Sequence, residues 1–362
     1  MATPSTPAEE EEHHGFLHGL VDKVEDLVLH HGDEASSGAA ADGTAALPSG
    51  QQTTVPPNGN KKALLVGINY LTASKGRLNG CINDVNNVAQ FLQSNCGYTA
   101  ARMRVLTDDQ PNNMPTAANI LASFAWLVEG AVPGDCLFFH YSGHGGQVGG
   151  SFLEDDGKNE TILPVDYERA GQIKDSHIYD ALVRPLPAGV RLTAIFDSCH
   201  SGTVMDLPYI YKSTRHSDAH KDESQPSFLE RHMSGWGMAL AGGLTGIATA
   251  VVAHAGSELV HQGSKVARHE IAKALNTSDA DVYMLSGCRD EQTSADTSVD
   301  GVGATGAMSY SFISALQQQP NQNWGSLVDN MRDILVSGPK KYTQVPQLSM
   351  GHPTDPATPV YI

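Results

Sequence analysis

Short apolar runs bounded by polar residues and glycine recur along most of this chain, beginning with KKALLVGINY at Lys61. Each has the length and composition of a strand buried on both faces. MRVLTDD, DCLFFHYSGHGG and RLTAIFDSCHSG repeat the design. Between them, apolar residues at helical spacing predict helices near Asp84–Ser94, Thr116–Glu129 and Ser176–Leu182. The pattern returns late in the chain with DVYMLSGCRDEQTSAD, helices around Met308–Gln318 and Trp324–Val336, and a last strand in VPQLSMGH. Strands alternating with helices predict an α/β fold whose sheet is mostly parallel and covered on both faces. In such sheets the chemistry gathers at the carboxyl ends of the strands.

Two stretches break the pattern. Residues 1–60 open with the acidic run Glu9–Glu12, continue as GFLHGLVDKVEDLVLHH, and end in a Gly/Ala/Ser/Pro-rich tract. The middle piece predicts a short amphipathic helix and the last a disordered linker. Residues 212–278 form the second break. Lys212–Arg231 is polar and His-rich, and Met233–Ser257 then runs without a single Asp, Glu, Lys or Arg. That uncharged length suffices for a bilayer, and Gly242-x-x-x-Gly246 permits close helix contact. A true span would put two parts of one sheet on opposite sides of a membrane. Two expectations remain: a helical insertion packed on protein, with self-association one form of that, or a peripheral contact with the membrane surface through 233–257. The chain therefore divides into 1–60, a large region 61–211, the insertion 212–278 and a small region 279–362.

Charge narrows the function classes. A net charge of −17 leaves nothing to neutralise a phosphate backbone, so no nucleic-acid partner is expected, whereas basic peptides would be attracted. The five cysteines, at 81, 96, 136, 199 and 288, are odd in number and lack CxxC spacing. Neither a disulfide framework nor a zinc site is expected, and a reducing, cytoplasmic setting is. The opening MATPSTPAEEEEHH has no feature of a secretory signal.

The strand ends carry the candidate chemistry. HYSGHGG places His144 on a glycine-rich turn after one strand, and FDSCHSG places Cys199 just past another. A buried thiol or a loop histidine alone would be read as structural. Together, at two strand ends, they offer a nucleophile and the base it needs. The neighbouring glycines let backbone N–H groups approach a developing oxyanion.

HYSGHGGQ, AIFDSCHSGTVMDLPY, LLVGINYL with LNGCINDV, and SGCRDEQTSAD resemble the motifs of a type I metacaspase, in the same order. The resemblance runs through nearly all of Lys61–Asp206 and again through Asp281–His352. It implies a caspase-like sandwich, a six-stranded, mostly parallel sheet flanked by helices, with 61–211 as its p20-like and 279–362 as its p10-like region. It also implies cleavage after Arg or Lys in protein substrates, with Cys199 as nucleophile, His144 as general base, and the backbone N–H groups of Gly145 and Cys199 as oxyanion donors. Cys81, Asp84, Ser142 and Asp197 match the family's specificity pocket. Two carboxylates there favour a basic side chain and repel an acidic one, which counts against an aspartate-specific peptidase.

Calcium is the cofactor that the resemblance implies, held at Glu160, Asp175, Ser176 and Asp206. Here the acidic run of the family reads Asp175-Ser176-His177, so a ligand carboxylate is missing, with Glu154, Asp155 and Asp156 nearby to compensate. Lys212, Arg215, Lys221 and Arg231 offer basic positions for autoprocessing of a zymogen. The competing expectation is a membrane- or aggregate-associated scaffold whose contacts matter more than hydrolysis.

Overall fold

Strand β1 (Lys61–Gly67) shows how the sequence builds the layers. Side chains alternate across a strand, so Leu64 and Val66 enter one core while Ala63 and Leu65 enter the other. The two leading lysines alternate likewise. Lys61 Nζ donates to Cys96 O at 2.6 Å, past the end of α1 (Cys81–Asn95), and Lys62 Nζ donates to Glu129 O at 2.7 Å, past the end of α2 (Ala117–Val128). Each cation satisfies carbonyls at the negative end of a helix dipole.

A computed structural model of the chain describes residues 59–149, 158–198, 204–213, 215, 276–287, 296–299, 303–338, 342 and 344–362. Besides β1, the main sheet contains β2 (Met103–Thr107), β3 (Cys136–Ser142), β7 (Arg191–Asp197), β8 (Tyr209–Lys212), β9 (Asp281–Ser286) and β12 (Gln347–Met350), in the order β2-β1-β3-β7-β9-β12-β8. Its first five strands are parallel, and β12 and β8 each run antiparallel to the preceding neighbour. On one face, α2 and α3 (Asp175–Leu182) cover the sheet through Ile120, Phe124, Leu127, Ile178 and Leu182. On the other, α1, α4 (Ala307–Gln318) and α5 (Trp324–Ser337) do so through Val85, Leu92, Phe312, Leu327 and Met331. A small antiparallel sheet joins β4 (Gly145–Gly149), β5 (Lys158–Ile162) and β6 (Ile173–Lys174), and β10 (Asp296–Val299) pairs with β11 (Gly303–Gly306).

The mostly parallel, helix-covered sheet follows the sequence expectation, but it has seven strands rather than six. The addition is the edge strand β8, whose Tyr209 and Tyr211 pack on the core while Ile210 and Lys212 are exposed. Four half-solvated residues running into a polar tract leave little signal. The glycines after His144 also differ from the expected turn: Gly145–Gly149 is a strand, and only Gly143 and His144 make the corner. The N-terminal amphipathic helix, the uncharged stretch 233–257, Glu154–Asp156, Lys221, Arg231, Cys199 and Cys288 lie outside the described residues. Among the described residues, no helix is long and apolar enough to cross a membrane.

A buried ionic cluster ties the small region to the large one at the end of the sheet where β7 and β9 begin. Arg191 donates to Asp281 at 3.0 Å, and His352 Nε2 lies 3.1 Å from the other Asp281 oxygen. Burial alone would lower the His352 pKa, but its bonds to Asp281 and the Pro353 carbonyl and the Asp281 charge outweigh burial and raise it. Since the folded value is above the ordinary 6.5, the stabilisation is full below about pH 6.5 and fades as pH rises through the folded value. The stability gap between wild type and His352→Gln is therefore expected to be widest below about pH 6.5 and to narrow as pH rises above it in paired thermal melts.

Candidate active site

The parallel ladder between β3 and β7 sets the geometry. Ser142 and Asp197 are register partners, one at the end of each strand. His144 and Cys199 follow these partners by two residues each. Neighbouring strands lie about 4.8 Å apart, so the two chains leave the sheet side by side. Gly143 N–H donates to Asp197 O at 3.4 Å, tying the two exits together.

His144 is half-buried and held from several directions. Its Nε2 lies 2.6 Å from Gly76 O. A carbonyl can only accept, so Nε2 carries the proton and a neutral imidazole keeps its lone pair on Nδ1. Gly76 has φ 73, in the left-handed region that favours glycine, and this turn aims its carbonyl at the ring. The other histidine of the motif, His140, is wholly buried on β3, and its Nε2 lies 2.8 Å from Ser309 Oγ. Burial drives its pKa down to about 3, so it is a neutral core residue at physiological pH.

Gly145 pairs with Ile162 across β4–β5. Leu163 N–H donates to His144 O at 3.2 Å, which makes Gly145–Ile162 the non-hydrogen-bonded kind of pair. The Gly145 N–H is therefore turned out of the ladder, as an oxyanion donor requires.

The acidic residues converge beside this corner. Asp84 is completely buried: its Oδ2 accepts from Ser142 Oγ at 2.7 Å and its Oδ1 from Gly306 N–H at 2.8 Å. Asp197 accepts from Ser309 N–H at 2.8 Å. Gly306 and Ser309 lie at the N-terminus of α4, whose dipole favours negative charge. A Cβ on Gly306 would collide with the Asp197 carboxylate, so glycine permits this close approach. Cys81 lies one turn before Asp84 on α1, with its N–H on Asn69 Oδ1 at 3.0 Å. The structure thus brings Asp84, Ser142 and Asp197 together, with Cys81 on the adjacent turn.

The calcium residues assemble differently. Glu160 and Asp175 are both buried, and the two Asp175 oxygens each accept one backbone N–H, from Glu160 at 2.6 Å and from Ser176 at 2.7 Å. Burial raises the Asp175 pKa to about 6. Ser176 is exposed, and Asp206 sits at φ 49 beyond β7. Among the described residues no group of three or more His, Cys, Asp and Glu stands ready for a metal.

Sequence reasoning missed Tyr70, Gly76 and Tyr141, which surround His144. Tyr70 and Tyr141 sit inside quoted motifs, but only the folded corner shows that they meet the imidazole loop.

The family model described as the metacaspase peptidase C14 domain matches residues 61–208. Metacaspase-1 of Mycosarcoma maydis is 46% identical over 301 residues, 82% of this chain and 72% of that protein. Metacaspase-1 of Cryptococcus neoformans is 48% identical over 302 residues, 82% of this chain and 64% of that protein. Among solved structures, a Geobacter sulfurreducens protein matches with TM-score 0.49 at 22% identity, over 83% of this chain and 96% of that one. Caspase-1 from Spodoptera frugiperda matches with TM-score 0.43 at 10% identity, over 84% of this chain and 93% of that one. At the identity and coverage of the two Metacaspase-1 sequences, the chain belongs to the metacaspases, a family of cysteine peptidases.

Proposed function

We propose that this metacaspase cleaves protein chains after arginine or lysine, with Cys199 as nucleophile and His144 as general base. The observation that carries the reading is the register of β3 on β7, which pairs Ser142 with Asp197, the residues two positions before His144 and Cys199 in the sequence. With Nε2 committed to Gly76 O, Nδ1 of His144 takes the Cys199 thiol proton. The thiolate attacks the scissile carbonyl, and the oxyanion that forms is met by the N–H groups of Gly145 and Cys199. His144 returns its proton to the leaving amine as the acyl-enzyme forms. Water, deprotonated by His144, then releases the new carboxyl end and restores the thiol.

Asp84 and Asp197 supply the specificity. Two buried carboxylates next to the attacking pair attract a cation and repel an acidic side chain. The same preference bears on autoprocessing. Arg215 is engaged by Asp333 at 2.7 Å and Asp329 at 3.3 Å, and Lys212 lies within β8. Lys212 is tied into the β8–β12 ladder and Arg215 is held by two carboxylates, so processing is expected beyond Arg215, where Lys221 and Arg231 stand in the sequence.

Paired fluorogenic peptides ending in Arg or Asp test this reading, each with wild type and Cys199→Ala. Cleavage of the Arg peptide alone, lost with Cys199→Ala, is expected; equal or preferential cleavage of the Asp peptide would overturn it. Calcium is an added arm. The acidic run has Ser176 where the family carries a carboxylate, so any activation is expected only above about 1 mM, weaker than sensor sites.

A further inference from the structure

We propose that Tyr70 is the positioning residue of the catalytic base, fixing both the backbone and the ring plane of His144. The proposal rests on His144 being that base. Its hydroxyl accepts the His144 N–H at 3.0 Å, and its ring lies against the imidazole with centroids 4.6 Å apart and planes at 33°. One side chain therefore holds two parts of the same histidine.

The hydroxyl is itself held. Tyr70 Oη–H donates to Leu163 O at 2.7 Å, while Tyr141 Oη–H donates to His144 O at 2.7 Å. Both amide groups of the corner at His144, its N–H and its C=O, thus end on tyrosine hydroxyls. Burial pushes both phenols well above their ordinary pKa, so each remains a donor throughout the working range. Gly143 lets them converge: a Cβ there would lie 2.7 Å from the Tyr141 hydroxyl and 3.3 Å from that of Tyr70.

The backbone gives the second observation. Tyr70 has φ 53, a left-handed conformation that a bulky aromatic residue avoids and glycine or asparagine accepts. An anchor enforces it on both sides. Asp108 accepts Asn69 N–H and Leu71 N–H, each at 2.8 Å, and so clamps the residues flanking Tyr70. Strain of this kind persists where the surroundings over-determine it, and it clusters at functional sites. A tyrosine that only filled the core would not need that backbone. This one turns against the imidazole from the same loop that presents the Gly76 carbonyl to Nε2. The loop from Asn69 to Gly76 thus fixes ring plane, tautomer and backbone of the base together.

The test compares full-length wild type, Tyr70→Phe, Tyr70→Gly and His144→Ala with a peptide ending in Arg, and expresses kcat per folded molecule. Tyr70→Phe keeps the ring and orphans the His144 N–H; kcat is expected to fall about tenfold with KM within about twofold. Tyr70→Gly fits the backbone without strain but loses both contacts, and kcat is expected to fall about a hundredfold. In the imidazole NMR spectrum the ring-current shift of His144 should survive in Tyr70→Phe and vanish in Tyr70→Gly, which reports the ring contact, while a loss of kcat at unchanged KM is the result that a space-filling role would not produce. If His144→Ala is inactive while both Tyr70 variants retain wild-type kcat, the positioning role is overturned and the base stands. A KM change without loss of kcat also overturns it. An active His144→Ala would instead overturn the base assignment. If Tyr70→Gly does not fold, Tyr70→Phe decides the matter by the same kcat criterion.

Discussion

His144→Ala is expected to lower kcat for cleavage after Arg by about 10⁴-fold while leaving KM and thermal stability nearly unchanged. The kinetic loss follows from removing the group that takes the thiol proton and later protonates the leaving amine. Stability is spared because the imidazole is half-buried and, among the described residues, its ring nitrogens bond only Gly76 O, whereas the bonds to Tyr70 and Tyr141 use the backbone and survive the substitution. His140 supplies the contrast. It is wholly buried and bonded to Ser309, so truncating it should cost about 1–3 kcal/mol of stability by orphaning a buried hydroxyl and opening a cavity. Two histidines four residues apart thus separate into a kinetic and a structural phenotype, measured by steady-state kinetics and thermal melts on the same preparations.

Asp281→Ala is expected to be the most destabilising single change in the ionic cluster. The carboxylate neutralises Arg191 and meets His352, and all three side chains are buried. Removing it strands a guanidinium with no counter-charge from that carboxylate, and such losses run to about 3–5 kcal/mol. For a chain of this size, that is a fall of about 5 °C in Tm. Replacing Arg191 and Asp281 together by apolar residues should recover much of the loss, because the desolvation cost of the pair disappears with its attraction. Calorimetry of the single and double variants measures both. A single variant within about 1 kcal/mol of wild type would show that the cluster is not a mainstay of the junction between the large and small regions.

Much of this molecule was legible because its strands are buried on both faces. Runs such as LLVG and LTAIF read as strands without any partner being known, and α2, α4 and α5 begin and end within one residue of the periodicity that predicts them. The edge strand β8 was not legible, since its four residues are half exposed and border a polar tract. The corner at His144 was legible for a related reason: glycine and polar residues interrupt an apolar run where a buried strand must surface. The surroundings of His144 were not. That Tyr70 adopts φ 53, or that the Gly76 carbonyl reaches an imidazole 68 residues on, depends on a loop closed by Asp108 from another strand end. Asp175 shows the opposite limit. Its identity fits a metal ligand, but no sequence pattern reports that both of its oxygens also accept backbone N–H groups.

The most direct measurement of the central claim is a mass analysis of the intact chain after reaction with an arginyl chloromethyl ketone peptide, with its aspartyl counterpart as control. Alkylation of Cys199 alone, fast with the arginyl reagent and absent with the aspartyl one, is the expected result. A folded chain in which Cys199 stays unmodified, or reacts as fast with the aspartyl reagent, would contradict the account.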